Sequence, residues 1–148
     1  MSQEDGKTGR FDGGSEPVIG ACIEVHRLLG PGLLESAYER CLAHELSLRG
    51  LQFERQRPVP VVYKGARLDC GYRLDIVLGQ LLIVEIKAVE RLLPVHQAEV
   101  LTHLKLTKFP AALLVNFNAV TLESGLRRLT LKQDLAFPSF PSSCSSLP

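Results

Sequence analysis

The sequence contains no tryptophan, three tyrosines and six phenylalanines, too few aromatics for an extended platform on which successive bases of a single strand could stack. It has no run approaching the roughly 18 unbroken apolar residues of a membrane helix. Its N-terminus, Met1 to Ser15, carries acids and glycines where a secretory signal would need an apolar stretch. Neither charge sign dominates: 17 Lys and Arg stand against 16 Asp and Glu, far from the basic excess of an obvious nucleic-acid binder. None of the four cysteines, Cys22, Cys41, Cys70 and Cys144, lies in a C-x-x-C pair, so neither a zinc knuckle nor a thioredoxin-type motif is supported. No internal repeat is visible. These absences leave a chain without a membrane span, expected in a reducing, cytoplasmic compartment, with Cys22 and Cys41 as small core residues.

What is present describes one globular domain. At 148 residues, 45% apolar and 22% charged, the chain can bury roughly two-thirds of its unfolded surface without staples. Residues 1–16 are rich in Gly, Ser and acids, and residues 136–148 hold five Ser and three Pro with no charge; both read as disordered tails around a structured domain at 17–135. Residues 18–132 hold fifteen bases and eleven acids, a net +4 that permits phosphate contacts without requiring them.

Pro17 suits a first helical turn, and Val18, Ala21, Cys22, Val25, Leu28 and Leu29 follow helical spacing up to Gly30-Pro31-Gly32. A second helix is expected from Leu33 to Arg49, with Leu34, Ala37, Tyr38, Cys41, Leu42 and Leu48 buried and Gly50 closing it. The period then changes. Segments 52–57 and 59–63 read as two strands pushed toward a sheet edge or bend by Pro58 and Pro60. Lys64-Gly65 marks a turn, and Tyr72–Leu78 with Leu82–Ala88 form a β-hairpin expected near the middle of the sheet. Pro94 opens a third helix, Ala111–Phe117 reads as a buried strand, and Gly125–Leu131 fits a strand or a short helix. The order α-α-β-β-β-β-α-β, with that last segment, predicts an α+β domain.

The hairpin is where chemistry concentrates. Asp75 shares a strand face with Arg73 and Val77, and Glu85 shares one with Ile83 and Lys87. Two registers fit. A two-residue loop, Gly79-Gln80, pairs Leu78 with Leu81 and sends Asp75 and Glu85 to opposite sides. A three-residue loop pairs Leu78 with Leu82 and sets Asp75 opposite Glu85 and Arg73 opposite Lys87. The glycine stands first in that loop rather than at its expected last position, so local sequence leaves both open. In the second register two like charges face each other, a repulsion that a divalent cation removes; oxygen donors suit Mg²⁺ or Mn²⁺. Alternating charge is also what an ordinary solvated strand face carries.

Asp75 followed by Glu85-Ile86-Lys87 resembles the signature of the PD-(D/E)XK nuclease superfamily. Leu29-Gly30-Pro31-Gly32-Leu33-Leu34-Glu35-Ser36-Ala37-Tyr38 resembles the motif of its GxxExxY family, with Gly32, Glu35 and Tyr38 on the named positions. Further matching segments, in order over residues 17–131, include Glu24-Val25-His26, Tyr63-Lys64-Gly65, Pro94-Val95-His96 and Asn116-Phe117. The resemblance implies a restriction-endonuclease-like core, a mixed sheet flanked by helices. It implies Asp75 and Glu85 as metal ligands, the Ile86 carbonyl as an extra ligand, Lys87 as the catalytic lysine, and Glu24 or Glu35 as an additional acid.

The third helix departs from that pattern: Glu99 and His103 stand where a glutamine and a tyrosine are expected. His96, Glu99 and His103 share a helical flank, inviting a zinc or manganese site or, more simply, a solvated polar face. Gln97 projects toward the apolar stripe of Leu93, Val100, Leu101 and Leu104. The leading expectation is a Mg²⁺-dependent phosphodiesterase acting on nucleic acid, DNA before RNA. Arg73, Lys105, Lys108, Arg127 and Arg128 are candidate phosphate contacts or ordinary solubilising charges. The alternatives are an inactive nuclease-fold binding or assembly module and a hydrolase of a smaller phosphate ester. A domain with little room for a recognition subdomain is expected to dimerise, use a partner protein or act on nucleic-acid structure.

Overall fold

Two helices lead the chain because apolar residues recur at helical spacing on one side of each, but the buried stripes differ in detail from those expected. The structure, a computed structural model, describes residues 14–131; of the tails expected at 1–16 and 136–148, residues 1–13 and the whole second tail, with Cys144, lie outside the described residues, while Glu16 already belongs to the first helix. Helix α1, Glu16–Leu29, buries Val18, Ala21, Cys22 and Val25. Leu28 and Leu29, expected in the same stripe, are exposed, because the last turn of α1 runs out beyond the sheet into the glycine loop. Helix α2, Glu35–Leu48, buries Tyr38, Leu42, Ala43 and Leu46. Leu34 and Leu48, expected inside, are 76% and 68% exposed: they flank a stripe that runs through Leu46, a position the sequence pattern had passed over. Gly50, at φ 76°, turns the chain after α2.

The two strands expected at 52–57 and 59–63 are one, β1, Glu54–Tyr63. Pro58 and Pro60 lie in a strand that occupies the sheet edge, where a missing N–H is tolerated. A two-residue turn at Lys64-Gly65, both at positive φ, joins it to β2, Ala66–Leu78, a strand longer than the expected Tyr72–Leu78. Strand β3, Leu82–Lys87, helix α3, Pro94–Thr107, and β4, Ala111–Asn116, form a β-α-β unit. A short 3₁₀ turn leads to β5, Leu126–Leu129, which settles the last segment as a strand.

The five strands lie in the order β1-β2-β3-β4-β5, antiparallel except for the parallel β3–β4 pair. Parallel central strands covered on both faces should read as continuous apolar runs, and all six residues of β4 are buried. One face, through Ile76, Leu78, Val84, Leu113 and Val115, packs on α1 and α2. The other, through Val77, Ile83, Ala112 and Leu114, packs on Val100 and Leu104 of α3. The result is a mixed five-strand sheet between helices, the α+β architecture expected. Among the described residues no helix is long and apolar enough to cross a membrane.

Candidate active site

The register left open by the local sequence is the second one. Leu78 pairs with Leu82, Val77 with Ile83 and Ile76 with Val84. Gly79 and Gln80 both adopt positive φ, the Leu81 N–H closes the turn on Leu78 O, and Leu81 is the third loop residue. Continuing that register brings Asp75 opposite Glu85, but the ladder ends one pair earlier. In its place the Asp75 carboxylate accepts the Ile86 N–H at 2.8 Å. A side chain therefore fills the gap where β2 leaves β3. Lys87 O accepts from Phe117 N, toward β4. Backbone groups alternate sides along a strand, so the Ile86 carbonyl is directed with its N–H into the Asp75 gap.

Glu85 and Lys87 project from β3 toward α3. Glu85 is only 7% exposed, and its Oε2 lies 2.6 Å from His103 Nδ1. Lys87 Nζ donates to Glu99 Oε1 at 3.2 Å. The match is geometric: four residues of helix rise about 6 Å and two residues of strand about 6.6 Å, so Glu99 and His103 face Lys87 and Glu85 in step. The residue that meets Glu85 is thus His103, from the third helix.

Burial is the first cause of the electrostatics at Asp75, whose carboxyl is raised to about 7 by desolvation. The Ile86 N–H works against that rise, and the charges of Glu85, Glu39 and Glu35 add to it. His103 is shifted upward, first by its hydrogen bond to Glu85, with burial opposing and the charges of Glu85, Glu99 and Asp75 assisting. Glu35 reaches this end of the sheet, its carboxylate accepting the Ala88 N–H just beyond β3. Glu24 turns elsewhere: both its oxygens accept from Arg27.

Sequence reasoning missed Glu39. It is buried on α2, held by Arg55 and by Gln56, whose φ of 54° interrupts β1 beside Asp75. Its i, i+4 spacing from Glu35 was the available signal. The flank of His96, Glu99 and His103 does not converge. His96 Nδ1 accepts the Leu93 N–H at the start of α3, a helix-capping task, while Glu99 and His103 face β3.

The glycine-rich motif before α2 has structural work to do. Tyr38 stacks on Phe117 with ring centroids 4.8 Å apart. Its hydroxyl donates to Gly30 O and accepts from Leu33 N. Gly32, at φ 112°, donates its N–H to Asn118. The loop is thereby fastened to the end of β4, which sets the first turn of α2, and Glu35 with it, beside Ala88.

Among the described residues no three acidic, histidine or cysteine side chains are spaced as a complete metal site. Asp75 in the ladder gap, the Ile86 carbonyl directed into it and Glu85 on the α3 side of β3 offer only oxygen donors, a set that suits a hard divalent cation. The raised carboxyl of Asp75 agrees with that fit, since one N–H donor does not balance the surrounding acids. The family model described as PD-(D/E)XK nuclease superfamily matches residues 13–129. No curated protein and no solved structure matches the chain.

Proposed function

The chain belongs to the PD-(D/E)XK nuclease superfamily, and from that premise we propose that it hydrolyses phosphodiester bonds of nucleic acid with a divalent metal ion. The observation that carries the reading is the end of the β2–β3 ladder, where the Asp75 carboxylate and the Ile86 backbone share one gap beside Glu85. Asp75, Glu85 and the Ile86 carbonyl are the proposed holders of Mg²⁺, or of Mn²⁺ in its place. The chemistry such an ion supplies when bound is polarisation of a phosphate oxygen and a lowered pKa for the attacking water. Lys87, on the Glu85 face of β3, neutralises charge developing on the phosphate or orients the water. Glu35, rather than Glu24, is the additional acid we propose.

Within the superfamily we assign the chain to the GxxExxY group, supported by the ties that Gly32, Glu35 and Tyr38 make between the loop, β3 and β4. DNA is the substrate expected before RNA, in a cytoplasmic protein with a single domain at 17–135. A second reading, a binding module without turnover, draws on one observation: Glu99 and His103 engage Lys87 and Glu85.

Calorimetric titration of Mg²⁺ and Mn²⁺ into wild type and Glu85→Gln, with cleavage assays on labelled DNA and RNA, tests both readings. The nuclease reading expects metal binding in the wild type alone, and cleavage that falls at least 100-fold, roughly, in Lys87→Ala with metal binding kept. Metal binding without cleavage of any substrate favours the module. Absence of metal binding in both proteins overturns the proposed centre.

A further inference from the structure

Strand β2 runs well past its partner on one side. Strand β3 pairs only with Ile76, Val77 and Leu78, and Ala66 through Arg73 are exposed. Paired with β1 alone, this stretch stands out from the sheet as a two-stranded ribbon. It carries Lys64, Arg67 and Arg73 against the single acid Asp69, all exposed. Between the ribbon and α3 lies a cavity of about 410 Å³, within the range of small-ligand pockets. Val61 and Tyr72 form the ribbon wall, and Val95, Ala98, Glu99 and His103 are among the residues of the helix wall.

Three features restrict what this cavity can take. Its walls are largely aliphatic and aromatic, so a bare phosphate would lose hydration there without compensation. The ribbon is cationic overall, and although Arg73, next to Tyr72 in the strand, projects from the ribbon's other face, phosphates that follow an occupant around the ribbon edge meet its positive charge. Glu99 and His103 line the cavity while bonding Lys87 and Glu85, so the occupant sits one side chain from the proposed reacting centre. Tyr72 is 51% exposed, its ring meeting His103 edge-on at 6.2 Å between centroids, which leaves an aromatic surface toward solvent. A flat aromatic ring, apolar on its faces and joined to phosphate, meets these restrictions, and within the proposed substrate that group is a nucleotide. Bases inside a duplex are stacked and cannot enter without unpairing.

We infer that the cavity between the β1–β2 ribbon and α3 seats one unpaired nucleobase of the substrate against Tyr72, with the ribbon cations on the flanking phosphates. This rests on the nuclease reading and narrows its substrate to single-stranded or frayed nucleic acid. Scarcity of aromatics fits a single stacking position rather than an array. Glu99, Thr102 and His103 are the polar residues of the helix wall.

The test is fluorescence anisotropy of the full chain, without metal so that nothing is cleaved. The probes are single-stranded DNA and RNA of about twelve nucleotides and the corresponding blunt duplexes. The wild type should prefer the single strands. Tyr72→Ala should weaken single-strand binding on the order of tenfold and leave duplex binding unchanged, while Tyr72→Phe, which keeps the ring, should stay within about twofold. Ala98→Leu, which narrows the cavity from the helix side, should reproduce the loss. A wild type that prefers duplex, or a Tyr72→Ala variant with equal effects on both forms, overturns the inference. If metal-dependent cleavage is observed alongside that result, the nuclease reading stands and the cavity assignment alone falls. If no nucleic acid is bound or cleaved, both fall.

Discussion

Asp75 sits where burial and three neighbouring acids oppose its ionisation, and a single backbone N–H favours it. Its folded pKa, about 7, lies above the ordinary value of 3.8. Between those values the native chain holds a proton that the unfolded chain releases, so this group's stabilising share is complete below the lower value and is lost as pH rises through the upper one. Asp75→Asn keeps an oxygen acceptor for Ile86 and carries no charge at any pH. The variant is therefore expected to be more stable than wild type at pH 8, by a few kcal/mol at most, with the gain vanishing toward pH 4. Urea denaturation in metal-free buffer at several pH values checks this; a gain independent of pH would mean that Asp75 is not the titrating group. His103 faces the same region and feels the Asp75 charge, so Asp75→Asn must be compared with His103→Gln to separate the two titrations.

At the scale of elements, helix α2 distinguishes what periodicity can and cannot assign. Leu46 and Leu48 are chemically identical, yet Leu46 is fully buried and Leu48 is mostly exposed. Leu46→Ala should cost about 2–5 kcal/mol, and Leu48→Ala should stay within about 0.5 kcal/mol. Equilibrium unfolding of the pair would overturn this packing if the order were reversed. Helix α3 teaches a related lesson. His96, Glu99 and His103 were legible as one flank, but their separate tasks were not, because the start of α3 turns His96 onto the Leu93 N–H while the next two turns lie over β3.

For the molecule as a whole, the proposed centre joins β2, β3 and the start of α2, so occupancy should be felt as global stability. Mg²⁺ at a hundredfold excess over its Kd should stabilise the wild type by about 2.7 kcal/mol. Neither Glu85→Gln nor Asp75→Asn should respond. Thermal unfolding with and without Mg²⁺ reads this directly, and an equal response in all three proteins would point to ion binding elsewhere. The same sheet explains the free ribbon: of the thirteen residues of β2 only Ile76, Val77 and Leu78 pair with β3, so most of β2 is left without a second strand neighbour.

Sequence alone determined the two leading helices, the hairpin, α3 and β4 in their order, and a proline-bearing segment suited to an edge or a bend; these follow from spacing, turn chemistry and residue type, which are local. The candidates Asp75, Glu85 and Lys87 came from the resemblance to a nuclease signature, since spacing alone left the hairpin register open. The sequence pattern overcounted the strands before the hairpin, because a proline at an edge interrupts a donor row without ending a strand. Tertiary structure alone decided the hairpin register, the buried Glu39, the partners of Glu85 and Lys87, and the cavity beside Tyr72. Each depends on which face of one element meets another. A one-residue slip in a strand, or a small rotation of a helix, changes that meeting while leaving every local pattern intact.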